Sequence, residues 1–171
     1  MTPALTGLLA RGLALFPMPA GQRQAPPGWQ HRASRDPHQP WPHGSNVGIG
    51  CRASGIVVLD LDRKNGHDGI AVFGQLCAGA GQAWPDTFTV TTPHGLHLYF
   101  TAPAGPPIAS TIWHTGPGID VRAPGWSSGG YVIGPGSTVN NRPYVITHDR
   151  PLLPLPTWLM PHLRVATPPR R

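Results

Sequence analysis

Apolar positions along this chain fall into short, bounded runs. Between residues 4 and 16 they recur at Leu5, Leu8, Leu9, Leu13 and Phe16, with Thr6 and Arg11 on the other side. This is the spacing of one helical face and predicts a helix that Pro17 ends. Residues 17–45 are polar and proline-rich and predict a long irregular stretch, of the kind that is often functional in a small domain. Asn46 to Gly50 reads as a short strand. After Gly55 comes Ile56-Val57-Val58-Leu59-Asp60-Leu61-Asp62, whose four successive aliphatics predict a central strand buried on both faces. Residues 68–80 predict a helix with Ile70, Val72, Phe73, Leu76 and Cys77 on its apolar face and Asp68 as its cap. Thr87 to Thr92 and Leu96 to Phe100, joined by Pro93 to Gly95, read as a β-hairpin. Further strands are expected at Gly118 to Arg122, at Gly130 to Ile133 and, on an edge, over 144–147. A short helix is expected over 156–163.

The elements predict an α+β fold, a mostly antiparallel sheet flanked by helices. A single domain over 1–163 is expected, with 164–171 a disordered basic tail. The chain has 171 residues, enough for one hydrophobic core. Its 22 glycines and 23 prolines form no repeat and punctuate the apolar runs, so they read as turns.

Charge changes the picture in one respect. The only lysine is Lys64, every other strong base is Arg, all acids are Asp, and the net charge is +6. Such a surface suits a polyanionic partner, although the same bias also arises from GC-rich coding. Cys51 and Cys77 have neither the spacing nor the number for a zinc site or a disulfide framework, and two buried thiols fit a reducing, cytoplasmic setting. The N-terminal stretch lacks the layout of a secretory signal. No apolar run approaches a membrane span, so no membrane partner is expected.

Three acids stand out. Asp60 and Asp62 alternate with Leu59 and Leu61, so both carboxylates share one face of a strand, roughly 6–7 Å apart. A divalent cation with hard oxygen preference would relieve their repulsion; a solvated strand end turning into Arg63-Lys64-Asn65-Gly66 would do so as well. Asp120, between Ile119 and Val121, shares its face with Arg122. The two form either a simple salt bridge or a third metal ligand beside a phosphate-binding guanidinium. His97 alternates with apolar residues and is either a core histidine or a donor to a triphosphate. His94, at the turn tip, reads as surface.

In order and spacing these elements resemble the bifunctional DNA primase/polymerase N-terminal domain, the prim-pol branch of the archaeo-eukaryotic primase superfamily. The resemblance runs from about residue 4 to 150. It rests on a helix ending at Phe16-Pro17, on Gly21 to Pro26 with Arg23 in the basic position, and on Asn46 to Gly50. It continues through Leu59 to Asp62, Thr92 to Phe100, Gly118 to Arg122 and Gly129 to Ser137. It implies a catalytic core related to an RNA-recognition-motif sheet with an added N-terminal α/β unit. It implies that Asp60, Asp62 and Asp120 bind two Mg²⁺ or Mn²⁺ ions, and that His97 contacts the triphosphate. Arg122, Arg23 and Ser137 are placed by it at phosphate or template.

The implied activity is template-directed joining of nucleoside triphosphates on single-stranded DNA with a primer. A helicase or a helical accessory domain on another chain is an expected partner, and no zinc is expected. Arg23 stands where the family pattern has Lys, which keeps the charge but changes the contact geometry. Two other readings use the same residues: a catalytically silent nucleic-acid-binding module, and a metal-dependent nuclease.

Overall fold

The computed structural model describes residues 2–127 and 129–168. Its elements run α1 (Pro3–Ala10), β1 (Leu15–Met18), α2 (Trp29–Arg32), β2 (Asn46–Gly50), α3 (Cys51–Ser54), β3 (Ile56–Lys64), β4 (His67–Asp68) and α4 (Gly69–Gly79). They continue with β5 (Thr89–Thr92), β6 (Gly95–Thr101), β7 (Thr111–Gly116), β8 (Ile119–Arg122), β9 (Tyr131–Ile133), β10 (Thr138–Val139), β11 (Arg142–Pro143), β12 (Val145–His148) and β13 (Leu153–Pro154), and close with a 3₁₀ helix at Thr157–His162. The fold is α+β, as the apolar pattern predicts. Among the described residues no helix is long and apolar enough to cross a membrane.

The main sheet has the order β12-β5-β6-β3-β8-β7, antiparallel along that path, with β13 added parallel to β6 and β4 paired with β3. The aliphatic strand β3 lies at its centre. Alternate residues of β3 serve two cores. Val57, Leu59 and Leu61 pack with Phe73 and Cys77 of α4 and with Leu159 of the 3₁₀ helix. Ile56 and Val58 pack the other way, with Leu5 and Leu8 of α1, Ile49 of β2 and Val132 of β9. The period-2 alternation of a strand thus divides one sequence run between two layers. Asp68 caps α4 as expected, accepting the Ala71 N–H at 2.9 Å.

The second layer contains a three-stranded antiparallel sheet, β1-β2-β9, the N-terminal α/β unit with one strand returned from later in the chain. Here the structure corrects the predicted first helix. It ends at Ala10, and the chain turns at Gly12, whose φ of 77° is open to glycine at little cost. Phe16 and Pro17 therefore lie in strand β1, not at a helix end. Pro17 is tolerated because β1 is an edge strand of its sheet. Leu13 and Phe16 remain buried, Leu13 just before β1 and Phe16 within it, so the apolar positions are core positions outside the helix. The Gly48 of β2 is required sterically: a Cβ there would stand 2.2 Å from the Phe16 ring.

The tail also differs from expectation. The Ala109 N–H donates to the Arg164 carbonyl at 2.8 Å, and the Ala166 N–H to the Pro107 carbonyl at 2.8 Å, so residues 164–166 lie along 107–109. Residues 169–171 of the expected tail lie outside the described residues.

Candidate active site

The acids meet because of register. On β3, Asp60 is directly opposite His97 of β6 on one side and Asp120 of β8 on the other. Asp62 is two residues further along the same face, the face that Ile56 and Val58 occupy nearer the strand start. Once those apolar contacts to the N-terminal layer end, the layers part and the carboxylates line the gap. Gly95 is what admits this pairing: opposite Asp62, a Cβ at Gly95 would lie 1.8 Å from the Leu61 carbonyl oxygen. The resulting cleft is about 480 Å³ and is lined by Asp60, Asp62, His97 and Arg122 on the large sheet. Arg23 and Trp29 line it from the N-terminal unit, Tyr131 from β9, and Lys64, His94 and Tyr144 also face it.

Oxygens of Asp60, Asp62 and Asp120 lie within 4.8 Å of one another. Asp62 and Asp120 are buried and Asp60 is nearly so. Each carboxylate faces one basic group: His97 Nε2 is 3.4 Å from Asp60 Oδ1, Arg122 donates to Asp120 Oδ2 at 2.8 Å, and the Lys64 ammonium contacts Asp62. These partners do not saturate the cluster. Asp120 Oδ1 is buried with no hydrogen-bond partner among the described residues, and so is His97 Nδ1. A buried oxygen without a donor is costly, and a cation is the simplest way to satisfy it. Three carboxylates, with no thiolate in the group, suit a hard divalent ion. The residues present therefore fit a bound divalent metal.

The titration directions agree with that charge layout. Burial opposes ionisation of Asp60, but the neighbouring His97, with Arg122 and Lys64, outweighs it and holds the carboxyl below its ordinary value. Asp120 goes the other way. Burial, reinforced by the charges of Asp60 and Asp62, raises it against the pull of Arg122. Tyr144 is pushed up to about 12 by burial and by the Asp60 charge, so its hydroxyl keeps its proton.

Of the residues singled out in the sequence, Asp60, Asp62, His97, Arg122 and Arg23 border this one cleft, and Asp120 joins them through the carboxylate cluster. Ser137 does not. Its buried hydroxyl accepts the Val47 N–H at 2.8 Å and donates to the Val47 carbonyl at 3.3 Å, which ties the loop after β9 to β2. Four lining residues are additions. Lys64 continues the 60, 62, 64 alternation because β3 extends past the expected turn. His94 stands in the cleft with Nε2 3.4 Å from Arg23 Nη2 and is not plain surface. Tyr144 lies with its ring centroid 6.0 Å from that of His97. Tyr131 holds the Arg23 loop, its hydroxyl accepting the Ala25 N–H and donating to the Arg23 carbonyl, both at 3.1 Å.

Three carboxylates fit for a hard cation on the middle strands of an antiparallel α+β sheet, with arginine, lysine and histidine beside them, suit phosphoryl-transfer chemistry. The family model for the bifunctional DNA primase/polymerase N-terminal domain matches residues 6–158, and the chain belongs to that family. Its members are nucleotidyltransferases of the DNA primase/polymerase type, with DNA and nucleotides as substrates. No curated protein matches the chain significantly.

Proposed function

We propose that the protein extends a primer on single-stranded DNA by template-directed transfer of nucleotides from nucleoside triphosphates. The observation that carries this is the convergence of Asp60, Asp62 and Asp120 from two adjacent strands beside a cleft that also presents Arg23, Lys64, His97 and Arg122. Asp60, Asp62 and Asp120 would hold Mg²⁺ or Mn²⁺. Bound there, a pair of such ions lowers the pKa of an attacking 3′-hydroxyl and neutralises charge on a leaving pyrophosphate.

The protein's own side chains do the positioning. His97, buried and facing Asp60, is part of the cleft wall and would contact the triphosphate from there. Arg122 is anchored by Asp120 and leaves its remaining donors for phosphate oxygens, which a guanidinium can grip in pairs. Arg23 places further positive charge on the opposite wall, with the His94 ring beside it. Catalysis of this kind rests on orientation and preset electrostatics.

The test is extension of a labelled primer on a DNA template with dNTPs and Mn²⁺ or Mg²⁺. The Asp60→Ala/Asp62→Ala variant is expected to lose at least about 10³-fold in rate, the equivalent of the several kcal/mol a metal supplies. Full activity in that variant would overturn the assignment. So would cleavage of the labelled DNA without added nucleotide, which points to a nuclease using the same acids.

A further inference from the structure

A second groove, of about 530 Å³, opens from the far side of Arg122. It is lined by Ser110, Thr111, Ile112, His114, Arg122 and Arg164, and it shares Ser110 and Arg122 with the acid cleft. No acidic residue lines it. Arg164 is exposed and makes no ion pair among the described residues. Its backbone is nevertheless fixed, by the bond from Ala109 and by the Trp126 indole donating to the Ala166 carbonyl at 2.7 Å. Arg164 is thus a held cation beside Ser110, not a loose tail charge. It also lies beyond residues 6–158, the part of the chain matched to the family.

The opposite wall is β7, the outer strand of the large sheet. Its ladder to β8 is irregular between Ile112 and Gly116, and Trp113 stands at φ 54°, a region that bulky residues seldom occupy. The irregularity leaves Ile112 71% exposed beside the groove. An exposed aliphatic next to two arginines offers an apolar contact for a base or sugar and charge for phosphates. The groove meets the acid cluster at Arg122, so a strand lying in it would have one end at the site of transfer.

We propose that this groove carries the backbone of the single DNA strand whose 3′ end is extended at the acid cluster, with Arg164 and Arg122 contacting phosphates and Ile112 supporting the chain between them. The inference rests on the polymerase reading for the identity of the strand, and on the continuity of the two cavities for its path.

Binding of a fluorescent single-stranded oligonucleotide to the full chain, followed by anisotropy across a salt series without metal or nucleotide, tests the contact. Arg164→Ala is expected to weaken binding about 3- to 10-fold at low salt and to reduce the slope of log affinity against log salt by roughly 0.7, one phosphate's share on a single strand. Arg164→Lys should restore most of the affinity, and Arg142→Ala, an exposed arginine on β11, should leave it unchanged. Position is tested by cross-linking a thiol-tethered oligonucleotide to Ile112→Cys, since both native thiols are buried. Val145→Cys, on strand β12 at the opposite edge of the sheet, should not cross-link. Wild-type affinity and slope in Arg164→Ala, or equal cross-linking at Val145→Cys, would overturn the groove while leaving primer extension intact. A wild-type chain that incorporates no nucleotide would instead overturn the polymerase reading, with the Arg164 effect on binding still standing.

Discussion

The two faces of strand β3 carry the same alternation and do opposite things. Val57, Leu59 and Leu61 are sealed under α4 and the 3₁₀ helix, with essentially no exposed surface. Ile56 and Val58 begin the other face in the same way, but at the next two positions the pattern gives carboxylates, and the covering layer parts. One face stores stability and the other gives some of it up to keep three like charges together. A strand held firmly from behind can present a charged cluster in front, so substitutions one residue apart should separate folding from function.

The largest expected effect on stability comes from the sealed face. Leu59→Ala should destabilise the protein by about 2–5 kcal/mol, the usual range for a buried leucine whose cavity cannot collapse. Thermal or denaturant unfolding measures this. At Asp60, the next residue, alanine should cost little stability and most of the activity. If Leu59→Ala and Asp60→Ala lower the unfolding midpoint equally, the division between the two faces is wrong.

How much of this could be read in advance follows from the same alternation. The continuous aliphatic run at 56–59 and the alternating Leu96 to Phe100 and Ile119 to Arg122 are strand signals, and they put the acids and His97 on strands from the sequence alone. What joins them is register, which depends on long-range pairing that no local pattern states. Lys64 was legible only as a turn residue, because two polar residues and Asn65-Gly66 hide the continuation of β3. Phe16 fits a helical face and also a buried strand, and Leu13 a helical face and also the buried turn before that strand. Gly12 decides between these, and a single glycine is a weak signal inside a helical pattern. Ser137 sits in a motif that resembles a phosphate contact, but its hydroxyl is committed to the Val47 backbone. Arg164 and Tyr144 gave no local signal, since each reaches its groove or cleft through distant pairing.

The second expected effect is smaller and of opposite sign. Asp120 is raised above its ordinary value and Asp60 is held below, although they are partners in one register row. A raised carboxyl favours the fold fully below the unfolded value of about 3.9 and loses that contribution as pH rises through its folded value. At neutral pH the Asp120 charge therefore burdens the metal-free fold. Asp120→Asn should raise its melting midpoint by roughly 2–4 °C, about 1 kcal/mol for a chain of this size. The gain should shrink as pH is lowered through the raised value, where the wild-type carboxyl is protonated too. Asp60→Asn should behave in reverse: its contribution is present above about 3.9 and lost as pH falls through the depressed value. Adding Mn²⁺ should stabilise the wild type and do little for Asp120→Asn. An Asp120→Asn midpoint below the wild-type value in metal-free buffer would show that the cluster carries no such burden.

The smallest effect concerns how the open face keeps its far wall. The sealed face is covered by apolar contact, whereas the Arg23 loop on the far wall is tied to its own layer by the Tyr131 hydroxyl, through Ala25 and the Arg23 carbonyl. Tyr131→Phe keeps the ring contacts with Phe16 and Trp29 and removes only those two bonds. Its cost to folding should be about 1 kcal/mol, the net worth of a hydrogen bond or two. Its effect on function should run through Arg23: if Arg23 grips the nucleotide as proposed, nucleotide affinity is expected to fall a few-fold, because the loop that carries the guanidinium is no longer tied down. A double-mutant cycle separates this from general loosening. In an Arg23→Ala background, Tyr131→Phe should have almost no further effect on nucleotide affinity, while its effect on stability persists. If the two substitutions instead weaken nucleotide binding additively, Tyr131 acts on the cleft by another route, and the wall is held by packing, as on the sealed face.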